Sequence, residues 1–333
     1  MTAPTESTAA APTLGSEVRI ERLSVAYGEH RVLRDVTFTV PAGTTTALVG
    51  ESGSGKSTLA LAAGRILPTD ARITGGMVHV GGTELTALGG KDLRAARGRV
   101  AAYLAQDAAA ALNPVLRVGR QIAEVHRVRD GAGRKEADRL AHEALADVGI
   151  ADPERVARLY PHALSGGMRQ RAIIAMALAF RPELLIADEP TTALDVTVQA
   201  EILHLVSRLQ RQYGLTVIWI THDLSVVAEI ADHVAVLYGG RLAEHTDVLG
   251  LFEASRHPYS QALLSCFHSG REAAPKAPFT TISGSPPVGR APDGCPFHPR
   301  CPRADALCAA ELPEPRLLSD GHTAACHHLE VTP

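Results

Sequence analysis

The sequence predicts an α/β fold, and three features of the chain support that class. The Gly-rich stretch from Gly50 to Thr58 matches G-x-x-x-x-G-K-[ST], a loop that joins a strand to a helix and surrounds phosphate groups. Leu184 to Ala187 and Thr216 to Thr221 are apolar runs of strand length. The helical segment Val198 to Gln212 lies between them, as in a parallel β-α-β unit. A parallel sheet that carries a phosphate-binding loop is therefore expected.

The first elements of the chain have the patterns of strands. Val18 to Ala26 and Val32 to Val40 alternate apolar and polar residues around the turn-forming Gly28, which predicts an antiparallel β lip. Thr44 to Val49 is a short strand that leads into the loop, and the small, apolar segment Ser57 to Arg65 predicts the helix that follows. The strand, loop and helix thus occur in the order that the motif requires.

A helical insert is predicted at about 107–182, within the α/β domain. Its apolar residues recur every three or four positions in three segments: Val118 to His126, Arg134 to Val148 and Arg169 to Ala179. Val234 to Leu242, with two glycines, predicts a closing hairpin. We therefore expect a disordered tail at 1–16, an α/β domain at 17–250, and a Pro-, Gly-, Cys- and His-rich extension at 251–333 that docks instead of building a large core of its own.

Composition excludes several classes of protein. The chain has 333 residues, 45% of them hydrophobic, which suits two globular domains. Its formal net charge of −3 gives no basic footprint, so nucleic acid is not expected as a partner. It has no uncharged apolar stretch long enough to span a bilayer, and the first sixteen residues lack the features of a secretory signal. These features predict a cytosolic protein.

The phosphate loop carries the groups that a nucleotide requires. Its glycines let backbone N–H groups approach phosphate oxygens at a helix N-terminus, Lys56 supplies a point charge, and the Ser57 hydroxyl completes a Mg²⁺ shell. The predicted nucleotide-binding residues of the loop are Gly50, Ser52, Gly53, Ser54, Gly55, Lys56, Ser57 and Thr58.

A second motif makes this prediction more specific. The segment Leu164-Ser165-Gly166-Gly167-Met168-Arg169-Gln170-Arg171 lies between the loop and the apolar run that ends in Asp188 and Glu189. In order and spacing, these motifs resemble the ATP-binding cassette (ABC) family. The resemblance implies an ABC-type nucleotide-binding domain that binds ATP with Mg²⁺ and hydrolyses it.

The resemblance also implies roles for single residues. Asp188 would hold Mg²⁺ together with Ser57 and Gln106, and Glu189 would be the base that polarises the attacking water. His222 would hold the catalytic geometry near the γ-phosphate, and Gln106 would link the site to the helical insert. The other implied nucleotide contacts are Tyr27, stacking on adenine, and Ser165, Gly166, Gly167 and Asp195 at an interface between two cassettes.

In this family each ATP lies between the phosphate loop of one cassette and the signature of another, so the chain should require a second ATPase subunit. The segments Leu112 to Val115, Val118 to Ile122 and Arg256 to Tyr259 resemble the peptide and nickel uptake branch. The long extension favours the first ATPase subunit of dipeptide or oligopeptide importers. The implied partners are a different ATPase chain, two transmembrane permease subunits and an extracytoplasmic binding protein, with this chain peripheral on the cytoplasmic face of the membrane.

Other functions remain open at this stage. Nickel or another small solute is an alternative cargo. A soluble ABC ATPase acting on ribosomes or DNA is a different class, but the single motif set, the absence of a sustained heptad array and the slightly negative charge argue against it. A small-molecule kinase would not need the signature.

Four cysteines near the C-terminus follow the spacing C-x5-C-x6-C-x17-C: Cys295, Cys301, Cys308 and Cys326. Four soft ligands in a reducing compartment suit a [4Fe–4S] cluster or tetrahedral zinc better than disulfides. The resemblance to the peptide branch favours the cluster, with zinc second and unmetallated thiols third. Its expected role is structural, because the extension has little core of its own.

Overall fold

Two β-sheets, with helices packed around the larger one, organise the chain. The structure is a computed structural model that describes residues 15–106, 111–179, 181–192, 194–272, 281–287, 292–318 and 321–329. The described strands are β1 Val18–Tyr27, β2 His30–Val40, β3 Thr45–Val49, β4 Ala71–Val80, β5 Thr83–Glu84, β6 Ala101–Leu104, β7 Leu184–Asp188, β8 Thr216–Ile220, β9 His233–Tyr238, β10 Arg241–Asp247, β11 Arg316–Leu317 and β12 Thr323–Ala324.

The helices surround these strands and contribute most of the insert. The described α-helices are α1 Lys56–Ala63, α2 Gly90–Ala96, α3 Val118–Asp130, α4 Arg134–Asp147, α5 Pro153–Ala157, α6 Gly166–Leu178, α7 Val196–Tyr213, α8 Leu224–Ile230, α9 Val248–Ala254, α10 Pro258–Glu272 and α11 Ala306–Ala310. Short 3₁₀ turns occur at Pro161–Ala163 and His298–Arg300. Within the described ranges, no helix combines the length and apolar character that crossing a bilayer requires.

The smaller sheet is the antiparallel lip. Its order is β2-β1-β4-β5, and β1 pairs with β2 through a hairpin that turns at Gly28, where φ is +54°. The predicted antiparallel pair is therefore confirmed. Strand β4 was not predicted, because its exposed Gly75 and Gly76 interrupt the alternation on which strand prediction depends.

In the part of the chain that the structure describes, the larger sheet has eight strands in the order β11-β12-β10-β9-β3-β8-β7-β6. Strands β9, β3, β8, β7 and β6 are parallel neighbours, and β3, β7 and β8 are buried along their whole length, as expected for a sheet covered on both faces. The predicted parallel pairing of β7 with β8 and the predicted hairpin of β9 with β10 are both confirmed. This order brings the carboxyl ends of β3, β6, β7 and β8 to one edge, where the site lies.

The helical insert packs its apolar faces together and onto this sheet. Buried residues of α3 and α4, among them Ile122 and Leu145, belong to a core that also contains Trp219 of β8. Gly119 lets α3 approach α5 closely, since a Cβ there would lie 2.5 Å from the Cβ of Ala157. The ends of the observed helices differ from those of the predicted segments by at most four residues, as helix termini often do.

The C-terminal extension shares its core with the α/β domain. Strand β12 pairs antiparallel with β10, which places Ala324 beside Glu244. Tyr259 and Phe297 are buried in one cluster with Val236 of β9. The region after Leu251 therefore docks on the main sheet at its β10 edge.

Candidate nucleotide-binding site

The phosphate loop follows β3 and ends at the first residue of α1. Gly50, Gly53 and Gly55 have φ values of +147°, +79° and +102°, a range in which L side chains are strained. At Gly50 a Cβ would also lie 2.2 Å from the carbonyl oxygen of Leu237 on β9. Helix α1 has no acidic residue in its first turn, so its free backbone N–H groups and dipole favour an anion.

Lys56 lies inside the curve of the loop. Its Nζ donates to the carbonyl oxygen of Gly50 at 2.7 Å and to that of Glu51 at 3.0 Å. Burial lowers the pKa of Lys56, although the carboxylates of Glu189, Asp188 and Glu51 oppose that shift. The ammonium group is thus held over the loop and surrounded by acids.

Asp188, at the end of β7, is hydrogen-bonded both to Ser57 in the phosphate loop motif and to Tyr103 on the neighbouring strand β6. Its Oδ1 accepts a hydrogen bond from Ser57 Oγ at 3.2 Å, and its Oδ2 accepts one from Tyr103 Oη at 2.9 Å. Burial, followed by the charge of Asp188, raises the pKa of Tyr103, so the phenol stays protonated and donates. Tyr103 was not predicted from the sequence, because only the pairing of β6 with β7 brings it to Asp188.

Two other predicted catalytic residues, Gln106 and His222, contact Glu189. Its Oε1 lies 3.1 Å from His222 Nδ1, and its Oε2 lies 3.4 Å from Gln106 Nε2 and 3.0 Å from Thr192 Oγ1. Gln106 follows β6 and His222 follows β8, the strands on either side of β7. Thr192 was not singled out in the sequence, although it lies three residues from Glu189 in the segment that continues the motif.

The surroundings of Glu189 keep its side chain ionised. Burial opposes ionisation, but hydrogen bonds from His222 and Thr192 outweigh it and lower the pKa of the carboxyl group. The hydrogen bonds of Glu189 and Asp188 go to different partners, and the backbone of Glu189 has φ of +45°, which is rare for a residue with a side chain. The two neighbouring acids therefore face different groups, one toward Ser57 and the other toward His222.

Ser165 of the signature and Asp195 each cap the start of a helix. Ser165 caps α6 by accepting from Met168 N at 3.2 Å, and Asp195 caps α7 by accepting from Val198 N at 3.0 Å. Among the described residues, no hydrogen bond joins either of them to the phosphate loop. Tyr27 is half-buried at the end of β1, opposite His30.

The four predicted metal ligands lie in the docked extension. Cys295, Cys308 and Cys326 are buried, Cys301 is half-buried, and all four are free thiols. Cys295 N donates to Cys308 O at 2.8 Å. Burial raises the pKa of Cys295 to about 11, and the charges of Cys308, Cys326 and Cys301 act in the same direction.

A different combination of ligands comes closest together in this region. Ligand atoms of Asp305, Cys308 and His328 all lie within 4.8 Å of one another, and within the described ranges no three of the four thiols do so. Thiolates bound to one zinc ion at about 2.3 Å would lie about 3.8 Å apart. The structure therefore does not have the four thiols at the spacing of a closed tetrahedral zinc site.

Profiles of two protein families match the chain. The family described as ABC transporter matches residues 33–192, which contain the phosphate loop, the signature and the acid pair. The family described as oligopeptide/dipeptide transporter, C-terminal region, matches residues 243–308, which contain three of the four cysteines.

Curated proteins resemble almost the whole chain. It is 47% identical over 305 residues to the probable peptide ABC transporter ATP-binding protein y4tR of Sinorhizobium fredii, covering 90% of this chain and 91% of the relative. It is 40% identical over 317 residues to the dipeptide transport ATP-binding protein DppD of Escherichia coli, covering 93% and 96%. It is 44% identical over 300 residues to the oligopeptide transport ATP-binding protein OppD of Salmonella typhimurium, covering 90% and 88%.

A solved structure resembles the α/β domain in three dimensions. It is a dimer of the ATP-binding cassette MJ0796, bound to ADP and Pi after hydrolysis, and it matches with a TM-score of 0.61 and 28% identity. The match covers 69% of this chain and 98% of that chain.

Proposed function

The chain belongs to the ABC transporter family, in the branch of dipeptide and oligopeptide ATP-binding subunits, and we propose that it binds and hydrolyses ATP to drive peptide import. The observation that carries this proposal is the position of Glu189. Its carboxylate is held by His222, Gln106 and Thr192 beside the paired Ser57 and Asp188.

This arrangement supports hydrolysis because residues that follow three neighbouring strands, β6, β7 and β8, meet at the Glu189 carboxylate. The ionised Glu189 can accept a proton from a water molecule, and His222 and Gln106 hold the carboxylate in one orientation. His222 donates through Nδ1 to Glu189, which leaves Nε2 on a side chain that is 63% exposed. When both ring nitrogens of His222 carry a proton, Nε2 can donate to a phosphate oxygen of the bound nucleotide.

We assign the binding of Mg·ATP to the loop and to β7. The backbone N–H groups of Gly50, Gly53 and Gly55 and the Lys56 ammonium would surround the β- and γ-phosphates. Ser57 and Asp188 would hold the Mg²⁺ that accompanies ATP, with Tyr103 fixing the second carboxylate oxygen. Tyr27 would stack on the adenine.

The signature supports a pair of cassettes. Gly166 and Gly167 present backbone donors at the start of α6, whose first turn has no acidic residue, and Ser165 and Gly166 are exposed. We propose that Ser165, Gly166, Gly167 and Asp195 contact the ATP held by the loop of a second, different cassette. The dimer of the similar cassette bound to ADP and Pi supports this assembly.

The helical insert supports coupling to a membrane partner. Val115 is 75% exposed and lines a groove with Tyr160, whose ring lies 5.9 Å from the guanidinium carbon of Arg117. Aromatic and arginine side chains are enriched at protein interfaces, and this groove contains both. We propose that two permease subunits dock at the insert, that a binding protein delivers the peptide, and that this chain is peripheral on the cytoplasmic face.

A decisive experiment compares ATP hydrolysis by the purified transport complex with and without the proposed base. Glu189→Gln keeps the shape and most hydrogen bonds of the side chain but cannot accept a proton. We expect hydrolysis to fall by about 10²–10⁴-fold while ATP binding persists. Glu229→Gln, at an exposed position of α8, is the matched control and should hydrolyse at the parental rate. Hydrolysis by Glu189→Gln at the parental rate would contradict the assignment.

For the extension, we propose a [4Fe–4S] cluster held by Cys295, Cys301, Cys308 and Cys326. The alternative is a zinc ion held by Asp305, Cys308 and His328. The neighbouring free thiols support the cluster, since soft thiolates are the ligands of iron–sulfur clusters. The group would cross-link an extension that contains few strands of its own.

Metal analysis of anaerobically purified protein separates the two alternatives. The cluster predicts about four irons per chain, lost in Cys301→Ser and kept in Asp305→Asn. If zinc is held by Asp305, Cys308 and His328, the purified protein should contain zinc that is lost in Asp305→Asn and kept in Cys301→Ser, because Cys301 lies outside that group. Iron-free protein from an anaerobic preparation would refute the cluster.

A further inference from the structure

The side chain of Arg300, in the C-terminal extension, is bound to the phosphate loop. Its Nη1 donates to Glu51 Oε2 at 2.6 Å and its Nη2 donates to Glu51 Oε1 at 2.9 Å. This is a two-pronged guanidinium–carboxylate pair, the geometry that fixes both partners. Glu51 is the second residue of the loop, 249 positions from Arg300 in the chain.

The remaining donors of Arg300 are also occupied. Nη1 donates to Tyr238 Oη at 3.1 Å, Nη2 to the carbonyl oxygen of Ile282 at 3.3 Å, and Nε to that of Ser283 at 2.8 Å. The Arg300 side chain is only 5% exposed. A buried guanidinium with this many fixed partners has one orientation, so it holds Glu51 in place.

The extension also holds the backbone of Glu51. The amide N–H of Glu51 donates to Tyr259 Oη at 2.8 Å. Tyr259 is fully buried, and its ring lies 4.5 Å from that of Tyr238 and 5.4 Å from that of Phe297. The position of its hydroxyl is therefore set by an aromatic cluster that includes both the domain and the extension.

The charge of Glu51 gives this contact a consequence for an anionic ligand. Glu51 is close enough to Lys56 to act on its charge, and Lys56 Nζ donates to the Glu51 carbonyl oxygen at 3.0 Å. An unpaired carboxylate at this position would repel polyphosphate and compete for the lysine. Arg300 neutralises that carboxylate by donating to both of its oxygen atoms.

We propose that Arg300 and Tyr259 are positioning residues for nucleotide binding, through which the C-terminal extension sets the conformation and charge of the phosphate loop. The inference rests on the proposed binding of ATP by that loop. It gives the extension a direct effect on ATP affinity, in addition to any structural role of its cysteines.

A double-mutant experiment on the full-length chain tests this inference, because removing the charge of Glu51 should compensate for the loss of Arg300. Equilibrium binding of Mg·ATP is measured for the parent, Arg300→Ala, Glu51→Gln and the double variant. We expect Arg300→Ala to raise the Kd about tenfold, because a carboxylate is left without its partner. The double variant should return to within about threefold of the parent, which a loss of packing alone would not produce.

Two conservative variants keep the test decisive if Arg300→Ala does not fold. Arg300→Lys keeps the charge but not the two-pronged bond, and Tyr259→Phe removes only the hydroxyl. Each should weaken ATP binding severalfold, and the KM for ATP in the assembled complex should rise more than kcat falls. Arg211→Ala, at an exposed position of α7, should bind ATP like the parent.

The outcomes distinguish this inference from the proposed function. If Lys56→Ala abolishes ATP binding while Arg300→Lys and Tyr259→Phe bind like the parent, the positioning role is wrong and the nucleotide site stands. If the double variant is as weak as Arg300→Ala, the charge argument is wrong. If the parent and Lys56→Ala both fail to bind ATP, the proposed function itself fails.

Discussion

Replacement of His222 by alanine tests the central feature of the site, the hydrogen-bonded Glu189. The substitution removes the Nδ1 contact to Glu189 Oε1 at 3.1 Å. A hydrogen bond to a charged group contributes about 1.5–3 kcal/mol, and water weakens this one because the histidine side chain is 63% exposed. We therefore take the lower value, about 1.5 kcal/mol, which corresponds to about a tenfold loss in kcat.

The same substitution changes the pH dependence in a defined direction. Burial alone raises the pKa of Glu189, and the bond from His222 is the largest influence that lowers it. Without His222 the pKa rises, and because the base must be ionised, the acidic limb of the rate profile should move to higher pH.

The assay is steady-state ATP hydrolysis by the assembled transporter across a range of pH. His204→Ala is the matched control, since His204 lies on α7 with its side chain 80% exposed. A His222→Ala enzyme with kcat within twofold of the parent and an unmoved acidic limb would refute the role assigned to this contact.

Three further predictions follow from single residues. Ser165→Ala should lower the free energy of unfolding by about 1 kcal/mol, because Ser165 caps α6. The control Asp152→Ala should lower it by a similar amount, because Asp152 caps α5. Only Ser165→Ala should also reduce ATP hydrolysis by the complex. Burial lowers the pKa of His257 from 6.5 to about 4, so the folded state binds a proton on this residue less readily than the unfolded state. The free energy of unfolding should therefore decrease by about 3 kcal/mol as the pH falls from 6.5 to 4. The Tm of His257→Gln should change less over the same pH range. Gly50→Ala should lower both Tm and ATP affinity, because its Cβ would lie 2.2 Å from a carbonyl oxygen of β9, and Gly53→Ala, with no atom within 4 Å of the added Cβ, should lower them less.

Much of the site could be predicted because its motifs are local in the chain. The loop from Gly50 to Thr58 needs glycines at fixed offsets for its positive φ values, and such a requirement is written in consecutive residues. The acids Asp188 and Glu189 end a continuous apolar run, which marks the carboxyl end of a buried strand. These patterns also predicted the neighbouring β8 and the helix between them.

Contacts between distant segments could not be predicted in the same way. Tyr103 reaches Asp188 because β6 pairs with β7 in one register, with Leu104 beside Ala187. The spacing of the four cysteines gave no indication that Asp305 and His328 would approach Cys308, since neither residue belongs to that spacing. Such contacts depend on how whole elements pack.

The sequence by itself indicated the class of fold, the family and two of the residues that meet at Glu189, namely Gln106 and His222, because hydrophobic periodicity and motif spacing are properties of short segments. Only the tertiary structure decided that the extension adds strands to the main sheet and that Arg300 holds Glu51. The physical reason is that sheet order and burial bring together residues that lie far apart in the chain. A buried charge must be paired, and its partner is determined by which residues pack beside it.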